Sequence, residues 1–427
     1  MTQLEAAREG ELTPVLCGIA EAESLAPETL RSRVARGTVV IPANTNHTNL
    51  EPIGIGEGLR IKVNANLGTS SVENDLEGAR DRLRVALEAK ADTVMDLSSA
   101  GDLDAVRRVL LADSPVPFGT VPIYQAAVEA VNRHGDLRAM SADDLFEVIE
   151  KHAQDGVDFI TVHCGLTRSS LAEVRGGDRL TGVVSRGGTF TACWMLAHDA
   201  ENPLFEQYDR LLEIARAYDV TLSLGDALRP GCLADGTDRA QVAETVVLGD
   251  LVRRARAAGV QSMVEGPGHL PLDQVVANVV LEKQVCDGAP FYVLGPLVTD
   301  VAPGYDHLTS AIGGALAGMA GADFLCYVTP AEHLSLPTEE DVREGVIATR
   351  IAAHAADIVR LGERAMAWDI EMAKARQALD WPRQFELAID PARARARYHP
   401  GGPGACSMCG QYCVFGLLDE KARPAGR

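Results

Sequence analysis

Arg60-Ile-Lys-Val-Asn-Ala-Asn-Leu-Gly68, the amphipathic run Val72–Lys90, and Thr93-Val-Met-Asp-Leu-Ser98 together decide the fold. A short β-rich segment gives way to a helical pattern, and a second β-rich segment follows. The same alternation continues along the chain. Strand-like runs recur at Pro117–Tyr124, Phe159–Gly165, Thr181–Gly187, Thr221–Asp226, Ser262–Gly266, Phe291–Pro296 and Asp323–Val328. Amphipathic stretches lie between them, among them Ser141–Gln154, Pro203–Tyr218, Gln241–Ala258 and Leu272–Cys286. Strands separated by crossover helices predict a parallel sheet. Eight or nine such units over roughly 270 residues suit an α/β fold of the closed (β/α)8 TIM type. A glycine fingerprint for a dinucleotide is absent, which argues against an open doubly wound sheet.

Outside the alternation the pattern changes. Residues 1–59 form an N-terminal region with a helical patch at Pro27–Arg36 and a short strand-like run at Thr38–Pro42. The barrel occupies 60–337. Residues 338–398 read as a helical appendage, with helices over Glu339–Leu361, Gly362–Ala378, Pro382–Ala388 and Asp390–Arg397; Pro382 suits a helix start. Residues 399–427 are a flexible tail, in which His399-Pro-Gly-Gly-Pro-Gly404 links into a cysteine segment and Lys421–Arg427 is expected to be disordered.

Composition narrows the function classes. The formal charge is −20 over 427 residues, so an anionic backbone or membrane surface is repelled and neither nucleic acid nor membrane is an expected partner. No run approaches the roughly 20 apolar residues that cross a bilayer. Met1–Leu12 is charged and lacks the apolar core of a secretory signal, so the expected compartment is the cytoplasm. Nine cysteines, six of them scattered singly, do not resemble a secreted disulfide framework.

In a parallel barrel the site lies at the C-terminal ends of the strands, and those ends are polar here. Candidates are Asn64 and Asn66, Met95 and Asp96, Tyr124 and Gln125, His163, Ser185 to Gly188, Asp226 and Arg229, Glu265, Tyr292 and Thr329. Ser185-Arg186-Gly187-Gly188 offers a hydroxyl, a cation and unobstructed backbone N–H groups, the parts of a phosphate cradle; a plain glycine turn has the same letters. Asp226 and Arg229 can orient a polar ring or ribose, or form an internal ion pair. Glu265 can bind hydroxyls or move a proton, or accept loop N–H groups. His269 and His333 each follow a strand within a Pro/Gly-bounded loop and can jointly hold a divalent metal with open positions. His354 reads as a packed helix residue.

The strongest local signal is Cys406-Ser-Met-Cys409-Gly-Gln-Tyr-Cys413. Three thiolates this close can converge on one metal centre. One reading is a zinc knuckle with His399 as fourth ligand. The other is a [4Fe–4S] cluster with one open iron, able to cleave S-adenosylmethionine to a 5′-deoxyadenosyl radical.

Taken together these motifs resemble the phosphomethylpyrimidine synthase family, radical S-adenosylmethionine enzymes of thiamine biosynthesis. The resemblance runs from about Val34 to Cys413. It rests on Val40-Ile-Pro-Ala-Asn44, Lys62-Val-Asn-Ala-Asn66, Thr93-Val-Met-Asp96, Gly119-Thr-Val-Pro-Ile-Tyr124, Val184-Ser-Arg-Gly-Gly188, Glu265-Gly-Pro-Gly-His269, Leu294-Gly-Pro-Leu-Val-Thr-Asp300, Ala302-Pro-Gly-Tyr-Asp-His307, Cys326-Tyr-Val-Thr-Pro-Ala-Glu-His333 and the cysteine segment. It implies 5-aminoimidazole ribotide as substrate, 4-amino-5-hydroxymethyl-2-methylpyrimidine phosphate as product, and loss of formate and carbon monoxide. Residue by residue it places Asn66, Met95, Tyr124, His163, Ser185, Arg186, Gly187, Asp226, Arg229, Glu265 and Tyr292 around the ribotide. It puts zinc or iron on His269 and His333 and the cluster on Cys406, Cys409 and Cys413. It further implies an electron donor such as flavodoxin or ferredoxin, and a homodimer in which a mobile cysteine tail closes over a barrel mouth.

The chain departs from the family's pattern in places. It lacks the long N-terminal domain of many bacterial members, its last cysteine gap is one residue shorter, and Ala227 stands where glycine is expected. Two alternatives therefore stay open. One is the paralogous 5-hydroxybenzimidazole synthase, which uses the same substrate, cluster and radical. The other is a non-radical, metal-dependent lyase or ribotide-binding protein with a structural zinc tail.

Overall fold

The computed structural model describes residues 1–70, 72, 74–401 and 404–417. They form two compact units, Met1–Ala356 and Asp357–Arg427. The expected disorder of Lys421–Arg427, and Gly402 and Pro403 of the linker, lie outside the described residues.

The first unit is built on a closed, all-parallel eight-stranded barrel. Its strands are β1 (Lys62–Leu67), β2 (Thr93–Asp96), β3 (Phe118–Thr120), β4 (Phe159–Val162), β5 (Thr221–Leu224), β6 (Ser262–Gly266), β7 (Phe291–Leu294) and β8 (Phe324–Cys326). The ring closes by β8 on β1, with Phe324 opposite Lys62 and Cys326 opposite Asn64. Nearly every strand residue is buried, as expected when helices cover the outside and side chains fill the inside. Phe159 and Phe324 fill the lower interior, ring centroids 6.2 Å apart, and Tyr292 stacks on Phe324 at 4.1 Å. Gly119 on β3 makes room for this layer, because a Cβ there would overlap the Phe159 ring.

One expected strand is absent. Thr181–Gly187 is not β-structure; Ser185 instead caps the helix Arg186–His198. The reason is topological: β4 pairs directly with β5, Phe159 opposite Thr221, so the ring has no slot for another strand between them. The stretch Pro203–Tyr218 is broken into Pro203–Glu206 and Tyr208–Tyr218.

The N-terminal helices Gln3–Arg8, Pro14–Ala22 and Pro27–Arg36 share a small core of their own and cover the N-terminal end of the barrel. The Thr2 hydroxyl donates to Gly259 O (2.7 Å), Gln261 pairs with the Ile41 backbone, and Asn44 N–H donates to Asp158 (2.9 Å). All three anchors, Asp158, Gly259 and Gln261, precede strands. The opposite face is left for a site. Among the described residues no helix is long and apolar enough to cross a membrane.

The second unit holds the helices Glu363–Gln377, Trp381–Leu387 and Pro391–Arg397; Asp380 and Asp390 cap the last two, accepting from Arg383 N and Arg393 N. Trp381 stacks on Tyr398 (4.5 Å) and its indole N–H donates to Gly404 O (3.0 Å), which ties the cysteine segment to these helices.

Candidate active site

A cavity of about 270 Å³ opens at the C-terminal ends of the strands. Of the eleven residues that the family resemblance places around a ribotide, every one except Gly187 lines it. Gly187 sits one step back, in the first turn of Arg186–His198, with its Cα against the His163 ring; a Cβ there would overlap that ring.

The cradle is a helix N-terminus. Ser185 Oγ accepts from Gly188 N–H (3.2 Å) and lies 3.0 Å from His163 Nε2. The Ser185 hydroxyl and Nε2 share a hydrogen bond whose direction follows the imidazole tautomer. Nδ1 is buried and has no partner within the protein. Burial, and then the charge of Arg229, holds His163 neutral, its pKa pushed down to about 3. The result is a neutral imidazole with one unpaired ring nitrogen, beside a helix start and the Arg186 cation, which lies 5.1 Å over the Tyr124 ring. A helix start, a cation and an unpaired ring nitrogen are the kinds of group that bind anions.

The opposite wall carries carboxylates. Glu265 Oε1 accepts from Thr161 Oγ1 (2.7 Å) and Ser223 Oγ (2.5 Å), one hydroxyl from β4 and one from the adjacent strand β5. Burial first, and the charge of Asp226 second, raise its pKa above the ordinary carboxylate range. Asp226 is raised too by burial, against the pull of Arg229, whose Nη1 lies 2.9 Å away. Asp226 and Arg229 form an ion pair, and that pair lines the cavity.

The third wall is amide and thiol. Asn64 Nδ2 donates to Asn66 Oδ1 and Tyr292 Oη (both 2.8 Å), and Asn66 Nδ2 lies 3.1 Å from Cys326 Sγ. Burial pushes the Cys326 thiol up to about 12, so it stays protonated. Thr161, Ser223 and Cys326 were not singled out in the sequence. Their signal was the period of 2: Thr161 precedes His163 by two on the same face, and Ser223 is a polar residue inside an otherwise apolar strand. Gln125 turns away and joins a buried network with Arg107 and His152. Asp96 accepts from Ser98 N–H (2.9 Å).

A second cavity of about 460 Å³ shares Asn66, Leu97, Arg186 and Glu332 with the first and adds Arg82, Thr329 and His333. The buried Thr329 hydroxyl and Arg82 Nε have no partner within the protein. His269 and His333 come together, ring centroids 5.3 Å apart, although 64 residues separate them (333 − 269). Each Nδ1 is held by a carboxylate, Asp300 at 2.8 Å and Asp306 at 2.9 Å. This fixes the rings and turns the two Nε2 atoms into the available donors, the arrangement that supports metal-binding imidazoles. The pair fits a metal that takes its remaining ligands from water or substrate. Among the described residues no three His, Cys, Asp or Glu side chains are gathered as a metal site.

The three tail cysteines are thiols, none in a disulfide; Cys409 is exposed, and Cys406 and Cys413 are half-buried. Cys406 is bridged to Pro400, and Cys409 leads into the short turn Gly410–Tyr412. Three closely spaced free thiols in a surface segment suit a three-thiolate cluster by donor chemistry. Among the described residues neither these thiols alone nor the thiols with His399 are gathered to one point. His354 is half-buried on the helix Glu339–Leu361.

Comparison with known proteins adds an independent line. The model of the radical SAM ThiC family matches residues 2–420. The chain is 60% identical over 423 residues to a phosphomethylpyrimidine synthase of Desulforamulus reducens and 62% identical over 424 residues to one of Moorella thermoacetica. Each alignment covers 98% of both chains.

Proposed function

The chain belongs to the radical SAM ThiC family, and we propose on that premise that its barrel mouth converts 5-aminoimidazole ribotide to 4-amino-5-hydroxymethyl-2-methylpyrimidine phosphate. The enzyme is a radical S-adenosylmethionine carbon–carbon lyase of thiamine biosynthesis. The observation that carries the site assignment is the unpaired, buried His163 Nδ1 beside the Ser185–Gly188 helix start and Arg186. A dianionic phosphate satisfies all of these donors at once.

The rest of the ribotide follows from that anchor. With the phosphate at the cradle, Asp226 and Arg229 meet the ribose, and Glu265 is placed to accept or return a proton on the ring or sugar. Asn66, Met95, Tyr124 and Tyr292 enclose the remaining surface. S-adenosylmethionine takes the adjoining cavity, where Arg82 and Thr329 offer buried polar groups that the protein leaves unpaired. Cys406, Cys409 and Cys413 hold a [4Fe–4S] cluster, which when bound supplies the electron that cleaves S-adenosylmethionine to the 5′-deoxyadenosyl radical. His269 and His333 hold zinc or iron, oriented by Asp300 and Asp306. The electron comes from a donor such as flavodoxin or ferredoxin, in the cytoplasm.

In this reading residues 60–337 carry the substrate site, 1–59 close the base, 338–398 form the appendage and 399–427 carry the cluster. The enzyme works as a homodimer. Helices Val275–Val285 and Asp306–Ala320 leave Val276, Val280, Leu308 and Ile312 exposed at helical spacing, an apolar stripe that suits a second copy.

Anaerobic turnover with ribotide and S-adenosylmethionine is expected to yield 5′-deoxyadenosine and the pyrimidine phosphate, identified by mass spectrometry. A benzimidazole product would move the enzyme to the cobalamin branch, and unconsumed ribotide would reject the substrate. A second expectation concerns the cradle. Gly187→Ala drives a methyl into His163, so ribotide affinity should weaken roughly tenfold to a hundredfold, the worth of one hydrogen bond to a charged group. Equal affinity in both proteins, measured by calorimetry without turnover, would remove the phosphate from this helix start.

A further inference from the structure

Behind the ribotide site lies a small buried cavity, between the strand ends of β5 and β6 and the helices Arg239–Ala257 and Val275–Val285. Glu265, Asp226 and Arg229 border it on the site side, and Glu244 and Glu282 on the helix side. These two glutamates are 2% and 1% exposed. Glu244 Oε2 accepts from Leu228 N–H (2.7 Å), but its Oε1 has no partner. Neither oxygen of Glu282 makes a hydrogen bond, although the weak thiol of Cys286 and the charges of Lys283, Asp323 and Arg256 lie near. Three buried carboxyl oxygens are therefore unpaired around one space. Isolated buried carboxylates are costly, so such groups stay protonated or find water. Burial pushes both Glu244 and Glu282 up to about 8. The space offers about 20 Å³ to water centres, above the roughly 10–15 Å³ one water needs. A metal is a poorer occupant, since these side chains do not group as a metal site.

We infer that Glu244 and Glu282 hold an ordered water in this cavity, and that the three form an internal proton store for Glu265, which borders the same space. It rests on the reading of Glu265 as the proton-moving group of the ribotide site. When Glu265 is a carboxylate, the water gives it a proton and takes the proton of Glu244; Glu282 then re-protonates Glu244 through the same water. No electron moves, and the charge ends on Glu282. Lys283 and Arg256 face that carboxylate favourably and Asp323 opposes it, while Glu244 faces Asp226 and Arg179. The flow reverses when Glu265 next gains a proton from substrate.

The test uses Glu282→Gln and Glu244→Gln, near-isosteric replacements that mimic the neutral acids and so preserve the fold. Infrared difference spectra of the full-length protein without substrate should show a protonated-carboxyl band that titrates near pH 8, and each variant should lose part of it. In the reconstituted enzyme, Glu282→Gln should lower kcat by roughly tenfold, less than the loss of a directly placed acid. KM for ribotide should be unchanged and the solvent deuterium isotope effect larger. An unchanged band overturns the store, and a lost band with unchanged kcat overturns the relay. A wild-type protein that shows the band but leaves ribotide unconsumed counts against the substrate reading and for the store.

Discussion

Cys409→Ala is expected to abolish 5′-deoxyadenosine formation and to leave the barrel folded. Cys409 is exposed, makes no disulfide and sits in the second compact unit, so its loss removes almost no packing. A surface change of this kind shifts stability by no more than about 0.5 kcal/mol. The chemical effect is of another size, because a three-thiolate site has no spare ligand. The wild type, reconstituted anaerobically, should carry about four irons per chain and a broad visible absorbance; the variant should carry far less of both. Thermal melting should superimpose for the two proteins. Deoxyadenosine formed at the wild-type rate by the variant would sink the assignment of this cysteine, and tight zinc without iron in the wild type would sink the radical reading.

Glu265→Gln should lower kcat by about 10²- to 10⁴-fold, the range of a positioned acid or base, with a small change in KM. The hydroxyls of Thr161 and Ser223 still find an acceptor in the amide oxygen, so the geometry survives and the proton does not. The pH dependence carries the signature. The wild-type profile should show a limb displaced above the ordinary carboxylate value of 4.5, since burial and Asp226 both raise Glu265; the variant should lack it. Stability moves oppositely. A carboxyl raised in the folded state stabilises fully below its unfolded value, and that contribution is lost as pH rises through the folded value. Between about pH 5 and pH 8 the wild type should therefore lose more Tm than Glu265→Gln. A variant that keeps both its activity and the wild-type pH profile would show that Glu265 only accepts hydrogen bonds.

Much of the architecture was legible because a barrel is written in local periods. Runs such as Phe291–Leu294 and Phe324–Cys326 are rich in apolar and aromatic residues, as strands buried on both faces are, and amphipathic helices lie between such runs. Polar residues at the ends of those runs marked the face that carries the cavity. Thr181–Gly187 defeated the same reasoning, because its β-branched residues fit a strand locally and only ring closure by β4 on β5 excludes it.

By itself, then, the chain's sequence determined the strand–helix alternation, the polar strand ends, the family motifs and the three cysteines. Each of these depends on neighbours a few residues apart. The tertiary structure alone decided which groups meet. Thr161 and Ser223 converge on Glu265 from 104 and 42 residues away, Asp300 and Asp306 steady His269 and His333, and Glu244 and Glu282 face one hidden cavity. Side-chain direction alternates with a period of two and is set locally. The partner across the barrel is set by the register of eight strands closing on one another, which no single segment carries.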